Sequence, residues 1–195
     1  MGFFSNIFGK KEPSRYQAKV LVTRSVLNHL LAEHIRSGNT MVVVFFHSTQ
    51  HMIEKELNDL SLQNKIIHAD QISEGMGLPS IRQLLSVPGN AVILGERFPL
   101  KAYENEIADR ISSTGATLPL DAFGALDDAF FLHFGGERIA SMMKSMGMKD
   151  DEIIEHSMIE KSIENAQDKI AKKVLVTSKA NSPEDWFRLH IQQPL

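Results

Sequence analysis

The sequence predicts an α/β fold, a mostly parallel sheet flanked by helices, with a helical appendage towards the C-terminus. Three observations carry that expectation. Short β-branched runs alternate with segments of helical period, as βαβ units require. Met41-Val42-Val43-Val44-Phe45-Phe46 is apolar at every position, which suits a strand buried on both faces. Turn signals such as Ser37-Gly38-Asn39 and Pro88-Gly89-Asn90 separate the runs.

Taken in order, Arg15 to Ile35 reads as one helix, with Val20, Leu21, Val26, Leu27, Leu30, Leu31 and Ile35 at three- and four-residue steps. The strand Met41 to Phe46 follows, then His47-Ser48-Thr49 and a helix with Ile53, Leu57 and Leu60 on one face. Lys65 to Ala69 is a second short strand. Ser80 to Val87 is helical, Ala91 to Gly95 is a third strand, Tyr103 to Ile111 is helical, and Thr114 to Leu120 is the place of a fourth strand. Two helices, Leu126 to Phe134 and Glu137 to Met146, break at Gly135-Gly136. A long helix, His156 to Val174, carries Met158, Ile159, Ile163, Ala166 and Ile170 as its stripe. The expected organisation is a flexible segment over 1–14, an α/β domain over 15–134, C-terminal helices over 135–177, and a polar tail over 178–195 anchored by Trp186-Phe187.

With 195 residues, 43% hydrophobic and 23% charged, the chain is long enough to bury a core and ordinary for a globular domain. The absence of cysteine excludes disulfides and thiolate metal sites and is compatible with a reducing cytoplasm, the expected location. A net charge of −3 gives no basic footprint for nucleic acid, so no nucleic-acid partner is expected. No apolar run approaches the roughly 20 residues of a membrane span. The N-terminus is apolar and then basic: Phe3, Phe4, Ile7 and Phe8 precede Lys10-Lys11. It reads as a frayed terminus or one tucked on its own domain, or as a foot that dips its four apolar side chains into a membrane surface, in weak peripheral contact, or into a partner groove.

Local chemistry offers few sites. Ser48 and Thr49, between a strand and a helix, suit an anion held on amides at a helix N-terminus. His47 and His51 with His68 invite a metal search, but their spacing favours surface or capping histidines, and no metal site is expected. Asp127-Asp128 precede a helix, where capping explains them better than paired-carboxylate catalysis. Met142, Met143, Met146 and Met148 form either gap-filling core or an adaptable binding surface. Lysines at 161, 169, 172 and 173 are neutralised by Glu160, Glu164 and Asp168.

One stretch is more specific. Asp127-Asp128, Phe134-Gly135-Gly136-Glu137-Arg138-Ile139, the methionines from Met142 to Met148, Ile154-Glu155-His156, and Lys161-Ser162-Ile163-Glu164-Asn165-Ala166-Gln167-Asp168-Lys169 keep a fixed order and spacing. Together they resemble the segment of the preprotein translocase motor SecA that leaves its second nucleotide-binding lobe and enters its helical scaffold. The resemblance covers about a quarter of the chain. It implies a RecA-like fold, that of a P-loop NTPase second lobe. The departures bear on function. No Gly-x-x-x-x-Gly-Lys-Ser/Thr loop is present, so the chain alone is not expected to hydrolyse ATP. Where the family places its phosphate-facing arginines, this sequence has Leu94-Gly95-Glu96-Arg97 and Asp109-Arg110-Ile111-Ser112. Arg97 and Arg110 are the candidate remnants, with Glu96 set to repel phosphate.

Two functions follow as expectations. The first is a non-catalytic SecA-like module for protein interaction or regulation. It contacts a protein partner or a second copy through Met142, Met146, Ile159, Ile163 and Ile170, and it needs no cofactor. The second is a domain binding ATP, ADP or phosphate through His47, Ser48, Thr49, Arg97 and Arg110, completing a site with a partner.

Overall fold

The computed structural model describes residues 14–191. Five strands form one sheet: β1 (Tyr16–Leu21), β2 (Thr40–Val44), β3 (Ile66–His68), β4 (Ala91–Leu94) and β5 (Leu120–Ala125). Their spatial order is β1-β5-β4-β2-β3, and every pairing is parallel. The helices are α1 (Arg24–Arg36), α2 (His47–Leu57), α3 (Ala69–Ser73), α4 (Leu78–Leu85), α5 (Lys101–Ser112), α6 (Ala129–Leu132), α7 (Gly136–Ser145), α8 (Ser157–Ala171) and α9 (Pro183–His190).

The chain winds outward from β1 to β2 and β3, then returns through β4 to β5. With right-handed crossovers, the two directions put their helices on opposite faces. Val42 and Val44 of β2 meet Leu27, Leu31 and Ile35 of α1 and Ile53 of α2 on one face. Met41 and Val43 face the other core, with Ile81 of α4, Ile107 and Ile111 of α5, Ile163 and Ile170 of α8, and Trp186 of α9. β2 is therefore buried at every position, as its unbroken apolar run predicts.

Three elements differ from expectation. The first helix begins only at Arg24, and Tyr16 to Leu21 is an edge strand. Tyr16, Ala18 and Val20 face the core while Gln17 and Lys19 are more exposed, a period of two that the later helical spacing obscures. Thr23 marks the boundary, its hydroxyl accepting from the Val26 amide. The fourth strand expected over 114–120 starts at Leu120 and runs on to Ala125. Its small residues serve packing: a Cβ on Gly124 would lie 2.6 Å from the Phe131 ring. The tail read as polar contains α9, started by Ser182 with Pro183 in its first turn, and its Trp186 and Phe187 are buried.

The C-terminal helices pack on the sheet itself. Val20 and Ile154 exchange backbone hydrogen bonds of 3.0 and 2.8 Å in an isolated antiparallel bridge on the free edge of β1, just before α8. Gly136 opens α7 against the end of β5, where a Cβ would stand 2.1 Å from the Leu126 carbonyl oxygen. Among the described residues no helix is long and apolar enough to cross a membrane. The segment holding Phe3, Phe4, Ile7 and Phe8 lies outside the described residues.

Candidate functional site

Between β2 and β4 the winding direction reverses. The loop after β2 turns to α2 on one face, and the loop after β4 turns to α5 on the other. Open parallel sheets bind ligands in the crevice at this point. Here the crevice holds the protein's own carboxylate. Glu96 is 2% exposed, and its Oε1 accepts from the Phe45 and Phe46 amides at 2.7 and 2.9 Å. Its Oε2 accepts from Thr49 Oγ1 at 2.6 Å. Burial pushes the Glu96 carboxyl up to about 7, against the opposing pull of Arg24, Thr49 and the two amides. The Ser48 amide donates to the Asn181 carbonyl at 2.9 Å, so the C-terminal strap takes a further donor of the α2 first turn.

Arg97 points to the other face and is also buried. Its guanidinium forms a double fork: Nε and Nη2 donate to Glu104 at 2.9 Å each, and Nη1 and Nη2 donate to Glu160 at 3.0 and 3.1 Å. The Tyr16 ring lies 5.0 Å from its Cζ. Gln167 Nε2 adds bonds to the Phe98 carbonyl and Glu104 Oε2 at 2.8 and 2.9 Å. Burial alone lowers an arginine pKa, but the two carboxylates hold Arg97 above its ordinary value. The network ties α8 to β4 and α5. By sequence Glu160 is set against the lysines of a solvated face, but it is buried and bound to Arg97. The available signal is that Glu160 lies on the stripe of Ile163 and Ile170, as Glu104 does on that of Ile107 and Ile111. An acid on a buried helical stripe demands a buried cation.

Of the residues expected to hold an anion, the structure gathers His47, Ser48, Thr49 and Arg97 near the carboxyl ends of β2 and β4, but commits three of them internally. Thr49 serves Glu96, the Ser48 amide serves Asn181, and Arg97 serves Glu104 and Glu160. Arg110 is elsewhere. It is in the last turn of α5, at the amino-terminal edge of the sheet, where neighbouring Asp109 accepts from Arg15 at 2.8 Å. Its Nε donates to Glu106 at 3.0 Å. His47 stacks on His68 with ring centroids 4.1 Å apart, and His68 Nδ1 accepts from the Asp70 amide. Burial lowers the His68 pKa. His51 instead faces Glu54 at 3.9 Å.

Asp127 and Asp128 leave the N-terminus of α6 without a side-chain cap. They act on α1 across the sheet end. Asp127 accepts from the Arg24 amide at 2.6 Å, and Asp128 binds the Arg24 guanidinium, which also donates to the Gly95 carbonyl at 2.8 Å. Coulombic attraction from Asp128 outweighs burial and holds the Arg24 pKa up.

Two concavities flank these networks. A cleft of about 460 Å³ opens at the carboxyl ends of β2 and β3, floored by Phe45, Phe98, Tyr103 and Trp186, with the stacked histidines and Asp70 on its wall. Lys179 closes its rim on Asp70 at 2.7 Å. A second groove of about 280 Å³ is almost wholly apolar and lies between α6–α7 and α8, lined by Val20, Phe134, Ile139, Met143, Met158 and Ile159. Met142 and Met146 beside it are 53% and 66% exposed. Ile163 and Ile170, expected at an interface, are 2% and 0% exposed, because the sheet and α5 cover that stripe.

Fold and site together define a doubly wound parallel α/β domain whose crevice is filled by its own side chains. In sequence, the chain is similar to part of the protein translocase subunit SecA. It is 36% identical to that of Psychrobacter cryohalolentis over 91 residues, 47% of this chain and 10% of the relative. It is 37% identical to that of Acinetobacter baylyi over 87 residues, 45% and 10%. It is 26% identical to that of Psychrobacter arcticus over 178 residues, 88% and 18%. The chain thus spans between a tenth and a fifth of the length of the curated relatives it matches. No protein-family model matches it.

Proposed function

We propose that the protein is a SecA-related domain that works as a non-catalytic interaction or regulatory module in protein translocation. The observation that carries this reading is Glu96 in the switch-point crevice. A carboxylate bound to two amides and a hydroxyl there occupies the place of an anion and repels another. Arg97, the one expected phosphate-facing cation near that crevice, is neutralised by two carboxylates and cannot leave without stranding them. A surface available for contact is the Met142–Met146 face with its apolar groove, an exposed patch of the kind that marks protein contacts. Calorimetric titration with ATP, ADP and inorganic phosphate tests the reading. No saturable heat at millimolar ligand is expected, and saturable binding of any of the three would overturn it.

One observation favours a second reading, a small-ligand domain. The 460 Å³ cleft adjoins the switch point and combines an aromatic floor with a few polar groups, the composition of ligand pockets. On that reading a nucleotide sits over Phe98 and Trp186 rather than on the α2 N-terminus, and the same titration gives heat that a Phe98→Ala replacement abolishes.

A further inference from the structure

The apolar groove between α6–α7 and α8 has an acidic end. Asp150, Asp151, Glu152 and Glu155 are all exposed; Glu155 follows groove residue Ile154 directly in the chain, and the other three lie within four residues before it. Lys144 meets Asp150 at 3.6 Å, and the Gln17 amide group donates to Glu155. No ion pair meets Asp151 among the described residues, so negative charge is left over. An occupant should therefore be a short apolar segment followed by basic residues.

The chain contains one. Phe3, Phe4, Ile7 and Phe8 precede Lys10 and Lys11. We infer that the groove is the docking site of this chain's own N-terminal segment, Phe3 to Lys11, with its apolar side chains in the groove and its lysines at the acidic end. The tether allows it. Six residue steps separate Phe8 from Ser14, a reach of roughly 20 Å when extended. From Tyr16 to the groove wall at Val20, β1 rises only about 13 Å. β1 is an edge strand with no further strand beside it, so the path follows that edge as far as the Val20–Ile154 bridge at the groove wall. The segment then competes in cis with any partner for this face. The inference rests on the reading of the groove as the chain's binding surface.

The nine methionines supply the probe. The full chain, with methyl-labelled methionine, is compared by NMR with a chain carrying Phe3→Ser, Phe4→Ser, Ile7→Ser and Phe8→Ser. These positions lie outside the described residues, and thermal melts of the two chains check that both fold alike. The Met143 and Met158 methyl signals should shift between the two, while Met41 in the core and Met76 outside the groove stay fixed. Unmoved Met143 and Met158 signals would overturn the inference. So would shifts that fade on dilution, which assign the segment to a second copy, or shifts that arise only with anionic lipid vesicles, which assign it to a membrane. None of these outcomes alters the nucleotide titration, so failure here and failure of the non-catalytic reading are separately visible.

Discussion

Thr49 Oγ1 donates to Glu96 Oε2 at 2.6 Å and joins the first turn of α2 to the loop after β4. Two residues 47 positions apart thereby close the crevice between strands whose connections diverge. The consequence is an anion supplied by the fold instead of by a ligand.

That anion has a pH signature. The folded-state pKa of Glu96 is raised to about 7 from an ordinary 4.5. Its protonated form therefore favours folding fully below the ordinary value, and that contribution is lost as pH rises through the folded pKa. Glu96→Gln keeps a neutral acceptor and removes the buried charge. It should match the parent near pH 4.5 and gain on the order of 2–3 kcal/mol over it by pH 8. Urea midpoints at the two pH values check this, and a difference independent of pH would contradict it.

Arg97 is a structural cation. Arg97→Met strands Glu104 and Glu160, both buried, and should cost about 3–5 kcal/mol. The triple replacement with Glu104→Gln and Glu160→Gln should recover much of that loss. Denaturant midpoints of the two variants decide the point, and a loss below about 1 kcal/mol for Arg97→Met would remove the pin.

The α8 stripe and the α7 face should respond oppositely to charge. Ile163→Glu buries an unpaired carboxylate and should leave the chain unfolded or aggregated. Met142→Asp, at an exposed position, should stay within about 0.5 kcal/mol of the parent. Size-exclusion chromatography with thermal melts reads both, and a soluble, parent-like Ile163→Glu chain would show the stripe to be uncovered.

Trp186 is the only tryptophan and is 1% exposed, packed near Phe98, Phe187 and His190. Its fluorescence should be blue-shifted in the native chain and move to the red on unfolding. Phe187→Ala should cost about 3–5 kcal/mol by detaching α9 from α6. A red-shifted native spectrum would mean that α9 is not docked.

The sheet was largely legible because β2 and β4 are buried strands with turn signals at their ends, and periodicity reports burial directly. Where one segment supports two periods, it misleads: Val20 and Leu21 fit both the alternation of β1 and the spacing of α1. β5 hid because Ala122, Gly124 and Ala125 have low strand propensity, and at Gly124 the close approach of the Phe131 ring leaves no room for a Cβ. At the site, the sequence placed His47, Ser48, Thr49 and Arg97 near strand ends, but which group satisfies which is a tertiary matter. Glu96 looked like a repellent beside an arginine. Only the fold turns it towards Thr49 while Arg97 turns towards Glu104 and Glu160.

Phosphate binding by the parent chain and by Glu96→Ala, measured side by side by calorimetry, tests most directly whether Glu96 holds the anion's place. The parent should give no saturable heat at millimolar phosphate, while Glu96→Ala, with the Phe45 and Phe46 amides and Thr49 released, should bind it or be stabilised by it. Saturable phosphate binding by the parent would contradict that role.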